Sequence, residues 1–115
     1  MNLENLEVRV KVTLHDVNAD AHAPAFGRGV AMLCELVDKI GSLNKAAKEM
    51  NMAYSKAWRL IKQTEEVLDC TLLCREGPKG SHLTEDGKLL VEIYRWVEHE
   101  ADVAANEMLK KMIQS

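Results

Sequence analysis

The chain has 115 residues, 47% of them apolar and 29% charged, a globular composition with room for one domain and not two. Its 6 glycines and 2 prolines are too few for a low-complexity or collagen-like chain, and no stretch approaches the ~18 consecutive apolar residues of a membrane helix. A net charge of −3 excludes a uniformly basic protein; with no basic-then-apolar signal layout at Met1-Asn2-Leu3-Glu4-Asn5, a soluble, cytoplasmic protein is expected.

Along residues 6–15, Val8, Val10, Val12 and Leu14 alternate with Glu7, Arg9, Lys11 and Thr13. That period of two predicts a half-buried N-terminal strand. Residues 18–24 form a polar, Ala-rich connector, and Phe26-Gly27-Arg28-Gly29 reads as a turn that starts a helix. Over 30–40, Val30, Leu33, Cys34, Leu36, Val37 and Ile40 recur at helical spacing, and Gly41 supplies the stop. Ser42 is placed to cap a short second helix over 43–50, whose small Ala46-Ala47 pair lets another helix approach. Asn51 tolerates the left-handed backbone that a tight inter-helix turn needs.

A third helix is predicted over 53–68. Ala53, Ala57, Leu60, Ile61, Thr64, Val67 and Leu68 share one side of it, whereas Ser55, Arg59 and Lys62 point the opposite way, flanked by Lys56 and Gln63. Tyr54 and Trp58 fall toward one edge and read as core. Residues 71–76 suit a strand, Gly77-Pro78-Lys79-Gly80 a turn and 81–83 a returning strand. Thr84 then caps a long last helix over 85–113, with Glu85 and Asp86 complementing the dipole of its first turn. Leu90, Ile93, Val97, Ala101, Ala104, Met108 and Met112 are spaced three or four apart along it. A helix this long outgrows so small a domain, so its distal half is expected to pair with a second copy, with Tyr94 and Trp96 as packing or dimer contacts.

The order of these elements is that of a winged helix-turn-helix. The fold class is therefore mainly α with a small β component, one domain over 1–115 with an N-terminal strand. Its helix-turn-helix lies at about 42–68, its wing at about 71–83 and its dimerisation helix at about 85–113. Within residues 39–62, Lys39, Lys45, Lys48, Lys56, Arg59 and Lys62 stand against a single acid, Glu49. An acidic chain thus carries a basic patch whose field reaches roughly 8–10 Å. A helix with an apolar back and a short-polar, cationic front fits the major groove of double-stranded DNA. The candidate contacts are Ser42, Lys45, Tyr54, Ser55, Lys56, Arg59, Lys62, Gln63 and, at the hairpin tip, Lys79. Arg59 suits guanine and Gln63 adenine, while the lysines suit phosphates.

Several of these residues also carry a family resemblance. Gly41-Ser42-Leu43-Asn44-Lys45-Ala46-Ala47 followed by Tyr54-Ser55-Lys56-Ala57-Trp58, and then Leu83-Thr84-Glu85-Asp86-Gly87, resembles the N-terminal DNA-binding domain of ModE-type molybdate-responsive regulators. The upstream alternating segment and Phe26-Gly27-Arg28-Gly29 extend the likeness over roughly residues 6–105. The LysR-type helix-turn-helix shares the Gly-Ser…Ala-Ala and Leu-Thr…Gly signatures. The resemblance implies sequence-specific DNA binding by a symmetric dimer, with residues 54–63 in the groove and the wing against the backbone. The wing here is shorter than the family's, and the molybdate-binding domains have no counterpart in these residues, so molybdate sensing is not implied. Whether a separate sensor protein is a partner stays open.

Other chemistry finds little footing. Cys34, Cys70 and Cys74 match no zinc spacing. Cys70 and Cys74 bracket an expected strand in which four residues span about 13 Å, too far for one metal or one disulfide. His15, His22, His82 and His99 are scattered among unlike neighbours. No catalytic residue, metal site or cofactor is expected, and the chain reads as a regulator and not an enzyme. A winged-helix protein-interaction module that binds no DNA is the alternative.

Overall fold

The computed structural model describes residues 1–23, 26–77 and 80–114. After a short 3-10 turn at Leu3–Asn5 come helices α1 (Arg28–Ile40), α2 (Leu43–Glu49) and α3 (Tyr54–Leu68). Strands β1 (Leu73–Arg75) and β2 (Ser81–Leu83) form the wing, and α4 (Glu85–Gln114) closes the chain. The strands pair antiparallel, with Leu73 opposite Leu83, Cys74 opposite His82 and Arg75 opposite Ser81. These elements make up a winged helix-turn-helix.

Local chemistry sets the turns. Gly41 ends α1 in the left-handed region (φ 81°), its N–H donating to the Val37 carbonyl at 2.7 Å. The Ser42 hydroxyl accepts from the Lys45 N–H at 3.1 Å and caps α2. Asn51 takes the left-handed conformation (φ 53°) between α2 and α3, as does Asp69 (φ 51°) after α3. The Thr84 hydroxyl accepts from the Gly87 N–H at 3.0 Å and caps α4. A side chain at Gly87 would place its Cβ 2.5 Å from the Leu72 carbonyl oxygen, so this close approach of α4 to the wing requires glycine.

The core is a single cluster. Leu33, Cys34 and Val37 of α1 meet Ala46 and Ala47 of α2, Ala57 and Ile61 of α3, Leu72 and Leu83 of the wing, and Tyr94 of α4. Phe26 packs edge-on against Tyr94 with ring centroids 5.8 Å apart. The alanines let α2 and α3 come together around the Asn51 turn. Arg95 joins α4 to α1 through a forked ion pair with Glu35 and a 2.9 Å bond to Glu98, which together raise its pKa further.

The N-terminal strand expected over 6–15 does not form. Among the described residues only the bridge between Leu14 and Phe26 has ladder pairing, with bonds of 2.8 and 2.9 Å. The alternation survives all the same: Val8, Val10, Val12 and Leu14 are half-buried while Arg9, Lys11 and Thr13 are exposed. The segment lies along α4, and α4 side chains do the work of a neighbouring strand. The Asp102 carboxylate accepts from the Val10 N–H at 2.8 Å, and Asn106 bonds both backbone groups of Val8. An extended segment with no partner strand must satisfy its backbone elsewhere.

Candidate nucleic-acid interface

One side of α3 is sealed and the other is open. Ala57, Ile61 and Thr64 are buried, and the Thr64 hydroxyl is spent on the Leu60 carbonyl at 2.8 Å. On the opposite side Ser55, Lys56, Arg59 and Gln63 are all exposed. Among the described residues none of Lys56, Arg59 and Lys45 forms an ion pair. Glu66 continues the same stripe one turn beyond Gln63, so the cationic part occupies the N-terminal two-thirds of the helix.

Lys62 is placed differently from its neighbours. Its ammonium lies 3.2 Å from Glu65 and 5.7 Å from the centre of the Trp58 ring. Glu65 is itself fixed, because its carboxylate accepts from the Leu72 N–H at 2.7 Å and the Leu73 N–H at 3.4 Å. Lys62 thus points into the crevice between α3 and the wing. Trp58, read from the sequence as core, is 42% exposed under this lysine.

Tyr54 also lies outside the core, at 41% exposure. Its hydroxyl accepts a 2.7 Å bond from the Arg75 guanidinium, which sits 5.9 Å from the ring centre. Arg75 was not among the candidates. Strand alternation would have placed it, since Leu73 and Arg75 share the face of β1 that looks toward the helices. Between α2, the first turn of α3 and the wing lies an open depression of about 240 Å³, lined in part by Ser42, Asn44, Tyr54, Arg75 and Gly80. Ser42 reaches this site although its hydroxyl also caps α2. The Ser81 N–H donates to the Gly41 carbonyl at 2.9 Å and holds the wing against the α1–α2 turn. Lys79 lies outside the described residues.

The structure therefore leaves Ser55, Lys56, Arg59 and Gln63 exposed on the open side of α3, sets Ser42 and Tyr54 at one depression beside its first turn, leaves Lys45 exposed on α2, and pairs Lys62 with Glu65.

Comparison with known proteins bears on this surface. Residues 31–88 match the family described as bacterial regulatory helix-turn-helix protein, lysR family. The molybdenum transport protein ModE of Azotobacter vinelandii is 30% identical over 84 residues, covering 70% of this chain and 31% of that protein, so the chain spans about a third of the relative it matches. Among solved structures, the CbnR DBD–DNA complex superposes with a TM-score of 0.58 at 21% identity, covering 73% of this chain and 95% of that one. The BenM DBD/benA site 1 DNA complex gives 0.56 at 22% over 74% and 93%. Vibrio fischeri DarR in complex with DNA gives 0.56 at 19% over 74% and 28%. At these identities the structural likeness speaks for the fold.

Proposed function

Since the lysR-family helix-turn-helix match spans residues 31–88, half of the chain, the chain belongs to that family, and we propose that it is a DNA-binding transcriptional regulator that sets α3 into the major groove. The observation that carries this reading is the open side of α3. Ser55, Lys56, Arg59 and Gln63 stand clear of the fold on a helix whose back is anchored in the core. Groove-reading helices need both properties.

In this reading residues 1–115 act as one unit. Arg59 and Gln63 read base edges, whereas Lys56, Lys45 and the Ser42 and Ser55 hydroxyls hold phosphates. Tyr54 and Lys79 contact the backbone beside the groove. Lys62 reaches a phosphate only by leaving its partner Glu65. The chain works by binding and not by chemistry, in the cytoplasm; none of its described helices is long and apolar enough to cross a membrane.

The unit that binds is a dimer joined through α4. Thirty residues make a helix about 45 Å long, and only Gly87 and Tyr94 of it are buried. The N-terminal segment covers one face of its distal half. Along another run Leu89, Ile93, Trp96, Val97 and Met108, each 40% to 62% exposed. An exposed apolar patch over 89–97, with Met108 farther along, fits a second copy of the same helix, and a two-fold pair presents two α3 helices to two half-sites.

Selection of bound duplexes from a random DNA pool tests the function directly. A regulator enriches one two-fold-related sequence, and log K for it falls with log salt by about 0.9 per phosphate contacted. A protein-interaction module enriches none and shows no such slope.

A further inference from the structure

We propose that the outward face of the wing is a binding site for a zinc-class divalent transition cation, held by the Cys74 thiolate, the His82 imidazole and the Glu76 carboxylate. Spacing along the chain conceals this arrangement, which is why the cysteines read as inert and His82 as isolated. Antiparallel pairing supplies it: Cys74 lies directly opposite His82, and Glu76, two positions on, projects from the same side as Cys74. One donor atom from each of the three lies within 4.8 Å of the other two, with His82 Nε2 at 3.7 Å from Glu76 Oε1. Among the described residues no other trio of His, Cys, Asp or Glu comes together in this way.

The donor set selects the ion. One sulfur, one nitrogen and one oxygen suit zinc and its neighbours in the first transition row, whereas magnesium and calcium call for oxygen throughout. Metal–ligand bonds of about 2.0–2.3 Å put tetrahedral donors about 3.6 Å apart, so side-chain rotations of about 1 Å close the site. The thiol releases its proton to solvent as the metal–sulfur bond forms. Water takes the fourth position. Cys74 and His82 are half-buried and Glu76 exposed, so the ion enters from solvent.

A bound dication neutralises Glu76 and ties β1 to β2 next to the surface assigned to DNA. It should therefore tighten DNA binding, a consequence that rests on the DNA-binding reading, whereas the site itself does not.

The test is titration of the full chain, reduced, with Co2+ as a spectroscopic probe and Zn2+ as competitor. A thiolate-to-cobalt absorption band that saturates at one ion per chain and is bleached by Zn2+ is expected. Cys74→Ser abolishes it, His82→Ala weakens binding at least tenfold, and Cys70→Ser leaves it intact. Absence of the band, its survival in Cys74→Ser, or its loss in Cys70→Ser overturns the proposal. Circular dichroism checks that each variant folds; Glu76→Gln, outside the paired strands, carries the same test with a weaker binding constant expected. Duplex binding is then measured with and without Zn2+. Unchanged DNA affinity in a chain that binds Co2+ as described refutes the coupling alone, and no DNA binding in either condition refutes the DNA-binding reading alone.

Discussion

Arg75 donates a 2.7 Å hydrogen bond to the hydroxyl of Tyr54, linking a wing strand to the first turn of the helix that faces outward. Together with the Glu65 carboxylate, which accepts from the Leu72 and Leu73 N–H groups at the other end of β1, this bond ties the wing to α3. Tyr54→Phe and Arg75→Ala should each reduce DNA affinity. Because they break one interaction, the double variant should cost no more than the worse single one. Additive losses in a double-mutant cycle would show that the two residues act separately. Stability should fall by only about 1 kcal/mol in Tyr54→Phe, as expected for a single exposed hydrogen bond.

The tie between α4 and the N-terminal segment predicts a local effect. Asn106 accepts from the Val8 N–H at 2.8 Å and donates to the Val8 carbonyl at 2.9 Å. Asn106→Ala removes both bonds and should cost about 1–3 kcal/mol, with the Val8 amide losing its protection from hydrogen exchange. Asp102→Asn keeps an acceptor for Val10 and should be far milder than Asp102→Ala. Equal exchange rates in all three variants would contradict this account of the segment.

Cys34 predicts a response to alkali. It is fully buried, and burial, aided by the nearby Glu35, pushes its thiol up to about 12 from an ordinary value of 9.0. The unfolded chain ionises this thiol near pH 9 while the folded chain keeps it neutral. Its contribution to stability is therefore complete below pH 9 and is lost as pH rises toward 12. Tyr94, also raised by burial, adds to the same trend. The melting temperature should fall across that window, and less steeply in Cys34→Ala. The Cys34 thiol should also resist alkylation in the native protein while Cys74 reacts.

Ile93 and Val97, at 40% and 43% exposure, lie on the α4 stripe assigned to the partner copy. Ile93→Glu and Val97→Glu place a charge at that junction without entering the core of one chain. Sedimentation should show dimers giving way to monomers with helix content unchanged. A sedimentation coefficient equal to the parent's would remove α4 from the interface.

The helices were legible because their signals are local. Apolar residues at helical spacing, Gly41, Ser42, Asn51 and Thr84 at the ends, and two strands within 71–76 and at 81–83 lie where the sequence reading put them. What escaped it depends on distant partners. The alternation at 8–14 reports burial on one side but not what lies alongside, and Asp102 and Asn106 are 92 and 98 positions away from the residues they hold. Lys62 has the right helical phase for the open face, yet Glu65, pinned by the wing backbone, draws it aside. Tyr54 and Trp58 look apolar in sequence, yet both are exposed, with the cations of Arg75 and Lys62 over their rings. Strand register, invisible in spacing, joins Cys74 to His82.

The central claim is that the open side of α3 reads DNA, and Arg59 tests it most directly. Its side chain is exposed and without an ion-pair partner among the described residues, so Arg59→Ala should fold as the parent does. Binding of both proteins to the selected duplex and to variants of it, at two salt concentrations, is the measurement. Arg59→Ala should lose about 1–3 kcal/mol on the selected site and discriminate less at one base pair. Parent-like affinity and base preference in the variant would contradict the claim.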